Sequence, residues 1–377
     1  MPGYWRLSLV YACYFSVLGV FLPYWSVYLK ALGFDAVDIG TLLALPQLTK
    51  IVAPSIWGWI ADVTHNRWRV TLIGAVLSAL TFTLGMNASS FTGMAALLLC
   101  WSFFWNALLA QYEAMTLTAL GEQRHRYPHV RLWGSIGFIV VVLALGWLFE
   151  QGGIQHLPWL VAALLWLLCL AACFMPKPSA AAQTHRSTGV GELLKQPQIW
   201  LFFLCTFLMQ VSHGPYYTFY TIYLQDQGYA TPLISQLWVL GVVAEITIFL
   251  VLYRFLAGGR FLRIIQLSLA FTVLRWWLIG AFPDHLLVLV GAQLLHAASF
   301  ASFHAACVSW VQVKFGESHA GIGQSLYSSL AMGAGWAVGA WASGLAWAAM
   351  AGASFYLAAA LAAVALLLSF GLREANA

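Results

Sequence analysis

Charge is what this chain has least of. Asp, Glu, Lys and Arg make up 8% of its 377 residues, against roughly 25% in a soluble domain. A chain so poor in charge cannot present a solvated surface all round, which excludes an ordinary soluble domain. Hydrolytic signatures are also missing: there is no G-x-S-x-G and no H-E-x-x-H. His213, His296 and His304 form no histidine-rich metal cluster in the sequence, so neither a metal nor a cofactor is expected. The six cysteines (Cys13, Cys100, Cys169, Cys173, Cys205 and Cys307) all fall in apolar runs, without zinc-finger spacing, and read as small packing residues. The first apolar run lacks a compact small-residue cleavage site and continues through Leu22-Pro23-Tyr24-Trp25. It reads as a signal anchor rather than a cleaved leader.

What is present is hydrophobic length. Apolar residues make up 62% of the chain and the mean hydropathy is +0.82. A spanning helix needs about 20 such residues. Twelve spans are expected at 6–30, 39–61, 69–88, 92–119, 131–150, 157–175, 198–224, 232–257, 261–281, 286–309, 321–345 and 350–371. The chain therefore reads as an all-α, multi-pass protein of the lipid bilayer. The net charge of +5 does not point to nucleic acid, because of where the charges sit. With the N-terminus in the cytoplasm, fourteen of the seventeen Lys and Arg share the cytoplasmic face: Arg6, Arg67, Arg69, Arg124, Arg126, Arg131, Lys177, Arg186, Lys195, Arg254, Arg260, Arg263, Lys314 and Arg373. Lys30 alone faces the other side. This asymmetry is the positive-inside rule, and it expects both termini in the cytoplasm.

A polar stretch at 177–197 separates residues 1–176 from 198–377. It reads as a flexible cytoplasmic linker between two six-helix bundles. The halves repeat each other. Tyr24-Trp25-Ser26-Val27-Tyr28-Leu29 with Gly33-Phe34 matches Phe219-Tyr220-Thr221-Ile222-Tyr223-Leu224 with Gly228-Tyr229, at a constant offset of 195 residues. A six-span shift preserves orientation, so this is a parallel repeat, an arrangement that places substrate near the midplane. The same offset carries Lys50 onto Glu245, which would make one side of the cavity basic and the other acidic.

Four charges lie inside apolar runs: Lys50, Glu113, Glu245 and Arg275. One such charge at a bilayer centre costs about 2.5 to 3.5 kcal/mol unless it is paired or wet. Lys50, between Pro46 and Pro54, can hold a substrate carboxylate, and the two prolines free backbone carbonyls that something must re-satisfy. The Arg275 fork suits a carboxylate, either Glu245 or a substrate anion. Glu245 is a proton-coupling candidate, with Glu113 as a second; Glu113 could instead pair with Arg131 as a gate or simply brace the helices. His213 sits beside Gly214-Pro215, a break within a span. His296 and His304 are about two turns apart, share one side of their helix with Phe300 nearby, and are candidates to line a cavity. Tyr24, Trp25, Tyr28, Tyr216, Tyr217 and Tyr220 are candidates to stack on an aromatic solute, the alternative being interfacial anchoring.

The loop after the second span reads Gly58-Trp-Ile-Ala61-Asp62-Val-Thr-His-Asn-Arg67-Trp-Arg69. It resembles the G-x-x-x-D-x-x-x-x-R-x-R/K signature of the major facilitator superfamily. That resemblance implies twelve transmembrane helices in two pseudo-symmetric six-helix bundles, with Asp62, Arg67 and Arg69 as gating residues. The corresponding loop of the second half keeps Arg254, Arg260 and Arg263 but lacks the Asp. Further motifs are Arg131-Leu-Trp133-Gly134-Ser135, His213-Gly214-Pro215-Tyr216-Tyr217, Trp238 with Gly241 and Glu245, Arg275-Trp276, His296 to His304, and Gly321-Ile-Gly323-Gln324. Together they are similar to the 3-phenylpropionate transporter group, relatives of the lactose permease and the nucleoside–proton symporters. The resemblance implies proton-coupled symport in a bacterial inner membrane, by a monomer, with no enzyme activity. Glu113, Arg131, Glu245, Arg275, and His296 or His304 occupy the places of the permease's gating and coupling residues. The permease's further carboxylate one turn after its histidine has no counterpart in Ala297–Val308, which shifts proton carriage to Glu245, Glu113 or a histidine. The expected solute is a small aromatic carboxylate such as 3-phenylpropionate. A sugar or nucleoside is the alternative, and an intramembrane enzyme the remote one.

Overall fold

The computed structural model describes residues 3–177, 190–256 and 259–374, without the side chains of Val190, Tyr253 and Arg254. Most of the expected linker (178–189), with Arg186, and the side chain of Arg254 lie outside the described residues. Among the described residues every regular element is helical. The chain divides into two compact units: Met1–Thr184 with Ala230–Ser235, and His185–Tyr229 with Gln236–Ala377.

The first unit contains α1 (Tyr4–Ala31), α2 (Ala36–Thr64), α3 (Arg67–Gly85), α4 (Phe91–Leu120), α5 (Tyr127–Glu150) and α6 (Leu157–Cys173). The second contains α7 (Val190–Leu194), α8 (Pro197–Ser212), α9 (Gly214–Asp226), most of α10 (Thr231–Leu256), α11 (Phe261–Ala281), α12 (Leu286–His296), α13 (Phe303–Tyr327), α14 (Trp336–Met350) and α15 (Ser354–Ser369). Among the described residues, eight helical runs are long and apolar enough to cross a membrane. One of them, Phe91–Glu150, holds two of the expected spans, and another, Leu286–Ser369, holds three. The seventh span is cut at His213 into α8 and α9, each too short to register alone. The expected twelve spans are thereby accounted for. Large apolar side chains such as Leu84 and Leu287, 84% and 85% exposed, face outward, as lipid requires and water would penalise.

Boundaries differ most in the last third. A loop was expected between 309 and 321, but α13 runs through it, interrupted only at Gly316 with φ +68°. Glycine alone adopts that backbone freely. Two π-helical segments, Ala297–Ser302 and Ser328–Gly335, flank α13. Cys100 and Cys173 are exposed rather than packed; the other four cysteines are buried.

The repeat is visible in backbone detail. After α1, Gly33 takes φ +91°, and after α9 its counterpart Gly228 takes φ +85°. Phe34 N–H bonds the Leu29 carbonyl at 3.2 Å and Tyr229 N–H bonds that of Leu224 at 3.0 Å. These are matching Schellman-type ends, in which a left-handed glycine lets the chain close back on the last turn. Because both turns have the same length, α2 and α10 start in register. Lys50 and Glu245 are each the fifteenth residue of their helix.

Helices within each unit approach closely where side chains are missing. A Cβ on Gly137 of α5 would collide with the Ala12 carbonyl oxygen of α1. A Cβ on Gly214 would collide with the Gly339 carbonyl oxygen of α14. Small residues at such crossings allow the van der Waals packing that holds membrane helices together. Residues Ala230–Ser235 belong to the first unit because it grips them. Tyr24 Oη lies 2.7 Å from both the Val142 carbonyl and Ser235 Oγ, and Glu150 accepts from Thr231 N–H at 2.7 Å. Gly137→Val is expected to force α1 and α5 apart and lower the thermal midpoint of the purified protein. Overpacking of this kind costs about 1–3 kcal/mol or more. Gly33→Ala, in an open turn with no neighbour within 4 Å, should lower the midpoint less, and an equal or smaller loss for Gly137→Val would contradict the packing argument.

Candidate functional site

The second unit buries a guanidinium completely. Arg275 on α11 is 0% exposed, beneath Tyr216 and Trp276, whose rings lie 4.3 and 4.5 Å from its Cζ. Its Nε donates to the Ala292 carbonyl at 3.0 Å, Nη1 meets His296 Nδ1 at 2.7 Å, and Nη2 reaches Gln293 Oε1 at 3.4 Å. His296 in turn presents Nε2 to Glu245 Oε1 at 2.8 Å. The fork was expected to hold a carboxylate. Its described hydrogen bonds go instead to His296, Ala292 and Gln293, so Glu245 is reached through the imidazole.

These partners define the tautomer. A guanidinium can only donate, so His296 Nδ1 must offer its lone pair, and Nε2 carries the hydrogen toward Glu245. A second proton on His296 would set N–H against N–H at Arg275. The imidazole is therefore held neutral between a fixed cation and a carboxyl. Gly241 permits the arrangement: a Cβ there would lie 3.2 Å from both Gln293 Oε1 and the His296 ring. It stands one turn before Glu245, so the α10 backbone comes close to α12 where the carboxyl must reach.

Aromatic rings cover this charged layer. Tyr216 and Tyr220 are buried, while Tyr217, Phe300, His304 and Trp336 are partly exposed, as is Glu245. Tyr217 and Trp336 stand 4.9 Å apart. Phe300 lies stacked between His296 at 5.4 Å and His304 at 6.5 Å. The three rings are four residues apart, and the π-helical turn Ala297–Ser302 carries Phe300 among them. His304 Nδ1 meets Tyr327 Oη at 3.1 Å. His213 caps α8 and donates from Nδ1 to the Met209 carbonyl at 2.9 Å. Its Nε2 and the Nε2 atoms of Gln210 and Gln293 are buried with no described partner. Gln293, which also accepts from Tyr216 Oη at 3.1 Å, was not singled out in the sequence. Only its position one turn from His296 hinted at a role.

In the first unit Lys50 is half-buried beside a polar cluster. Asn106 Nδ2 donates to the Pro46 carbonyl at 2.7 Å and to Thr49 Oγ1 at 2.9 Å, and Thr49 lies 2.8 Å from Ser102 Oγ. Asn106 and Ser102 of α4 supply the polar partners that the proline-interrupted α2 needs; neither stood out in the sequence. Tyr24, Trp25 and Tyr28 are buried in packing contacts, Trp25 against Phe21 at 5.0 Å and Tyr28 at 5.2 Å. Tyr24 ties helices together and offers no open ring face. Their structural places differ from the stacking role considered for them.

The gating residues separate into two groups. Arg67 bonds Asp62 at 2.6 Å and Gln111 at 2.8 Å, so the loop signature fastens α2 and α3 to α4. Arg69 contributes its backbone N–H, which caps on the Asn66 side chain at 3.2 Å. Glu113 accepts from Tyr127 Oη at 3.1 Å, and Arg131 lies over the Phe15 ring at 3.8 Å. Among the described residues Glu113 and Arg131 form no ion pair, so the direct gate considered for them is not made.

The MFS_1-like family model matches residues 4–358. The chain is 29% identical over 342 residues to the "Probable 3-phenylpropionic acid transporter" of Escherichia coli K12, covering 88% of each chain. It is 22% identical to the nucleoside permease NupG of the same organism, over 84% of this chain and 82% of that one. A crystal structure of a single-residue mutant of the nucleoside transporter NupG superposes with a TM-score of 0.86 at 19% identity, covering 98% of both chains.

Removing one member of a buried charged set leaves the others uncompensated, at a cost of about 3–5 kcal/mol. Arg275→Met should therefore lower the thermal midpoint more than the double change Arg275→Met with Glu245→Gln. Equal midpoints would mean that the two charges are not coupled through His296.

Proposed function

The chain belongs to the MFS_1-like family and is a multi-pass membrane transporter rather than an enzyme, and on that premise we propose that it is a proton symporter of a small aromatic carboxylate. The observation that carries this reading is the Arg275–His296–Glu245 line. A neutral imidazole pinned by a permanent cation makes a poor proton carrier. The carboxyl at its other end is partly exposed and is the one member able to change protonation when solute arrives. Glu245 is thus the coupling group and His296 the link that reports its state to Arg275.

Lys50, half-buried inside a proline-interrupted span, is the group proposed to hold the solute's carboxylate. The partly exposed rings of Tyr217, Phe300 and Trp336 are proposed to receive the aromatic part. The name borne by the 3-phenylpropionic acid relative agrees with an aromatic carboxylate as the solute. A nucleoside is the second reading, favoured by the fold match to NupG, because a base stacks on the same rings. A sugar is the remaining alternative. Lys50 separates them, as a neutral solute has no need of a half-buried ammonium. The protein is proposed to act as a monomer in a bacterial inner membrane with both termini cytoplasmic, on the strength of its Lys and Arg distribution, and to work by alternating access.

Purified protein in liposomes should accumulate labelled 3-phenylpropionate under an inward proton gradient. Failure to do so, with uridine or maltose accumulated instead, would select the alternative. Glu245→Gln should abolish gradient-driven accumulation while retaining exchange of solute across the membrane. Lys50→Ala should raise the half-saturation concentration by about 10- to 100-fold, the loss of a charge-assisted hydrogen bond. Unchanged half-saturation would remove Lys50 from the site.

A further inference from the structure

Away from this site, the start of α5 is crowded with basic side chains. Arg124, His125 and Arg126 close the 3-10 turn Gly121–Arg126, and His129 follows in the first turn of α5. Glu122, at the other end of that turn, is the acidic residue of the stretch. An open cleft of about 630 Å³ lies here, lined by Tyr4, Trp5, His125, Arg126 and His129. It has an aromatic wall from α1 and a basic wall from the Gly121–Arg126 turn and the first turn of α5.

The aromatic wall is built rather than incidental. Tyr4 Oη accepts from Trp133 Nε1 at 2.9 Å and donates to the His129 carbonyl at 3.4 Å. Trp5 meets the Trp133 ring edge-on at 5.1 Å and still leaves 66% of its surface uncovered. His125, Arg126 and His129 are exposed, and among the described residues none of them is paired with a carboxylate. An indole left open beside unpaired basic groups, at the ends of two membrane helices, is suited to the boundary between acyl chains and headgroups.

We propose that this cleft binds the phosphate headgroup of an anionic phospholipid, with Arg126, His125 and His129 on the phosphate and Trp5 against the glycerol and upper acyl chain. Basic clusters just cytoplasmic of membrane helices attract anionic lipid. The proposal rests on the reading that this Lys- and Arg-rich face is cytoplasmic, and it stands independently of which solute is carried. A soluble phosphate compound shares the chemistry of the headgroup but gives the exposed indole nothing to cover. A lipid seated here would join the ends of α1 and α5, the pair that meets at Gly137.

The test is native mass spectrometry of the full-length protein in neutral detergent, titrated with phosphatidylglycerol or phosphatidylcholine. The wild type is expected to retain phosphatidylglycerol preferentially. Arg126→Gln should weaken that retention about fivefold, the equivalent of one basic group near an anionic surface, and adding His125→Gln and His129→Gln should remove the preference. Arg263→Gln, a basic change elsewhere on the same face, should leave it intact. All these positions are exposed, and Arg126→Gln alone suffices if the triple variant does not fold. Equal retention of the two lipids by the wild type would overturn the proposal, as would unchanged retention in Arg126→Gln. Displacement of phosphatidylglycerol by inorganic phosphate would overturn it in favour of a soluble ligand. Liposome uptake that fails while lipid retention holds would sink the transport reading and leave this one standing.

Discussion

A guanidinium with no exposed surface governs the second unit. Arg275 cannot shed its proton, and an isolated buried ion is among the most expensive groups a fold can contain. Everything around it answers that cost. The Ala292 carbonyl and Gln293 take two of its donors, two aromatic faces take its edges, and His296 passes its influence on to Glu245. The glycine at 241 and the π-helical turn after His296 follow from the same need, because both bring backbone and rings to where that charge sits. A transporter gains from such an arrangement. In the proposed cycle the fixed charge stays in place and the proton is assigned to one carboxyl, Glu245.

Close backbone approach is the other constraint, and it acts on the whole fold. Lipid provides no hydrophobic drive between helices, so contact area must come from shape. Gly137 against Ala12 and Gly214 against Gly339 are places where a single methyl group would push two helices apart. The same economy of side chains recurs at the turns. Gly33 and Gly228 end α1 and α9 with the same left-handed step, and so start α2 and α10 in register. That shared step puts a lysine and a glutamate at equivalent positions of the repeat, a difference in charge laid on a common backbone. The proposed cycle assigns the lysine to the solute's charge and the glutamate to the proton.

Much of the fold could be read from periodicity and charge. Twelve apolar runs, a polar divide and an excess of Lys and Arg on alternate loops express local rules of transfer from water to lipid, and those rules act residue by residue. The break at His213 was legible because Gly-Pro inside a span cannot continue a helix unaided. The loop signature around Asp62 and Arg67 was legible as a resemblance to a family pattern, and the structure added the ion pair between them. The interruption near 309–321 was less so: the apolar pattern weakens over a dozen residues, but the helix is broken only at Gly316.

Partners distant in sequence were not legible. Composition placed Arg275, His296 and Glu245 in the membrane, yet could not say that the histidine stands between the other two, since that depends on how α10, α11 and α12 cross. Gln293, Asn106 and Ser102 looked like ordinary polar residues until folding aimed them at a guanidinium and at a proline-interrupted helix. Tyr24 looked like a stacking surface, and folding turned it into a tie for the Val142 carbonyl. The sequence by itself determined the number of spans, their repeat and which charges must be buried, because hydropathy and turn chemistry are local. Only the tertiary structure decided which of those charges meet, because a contact across helices is set by crossing geometry and by the glycines that permit it.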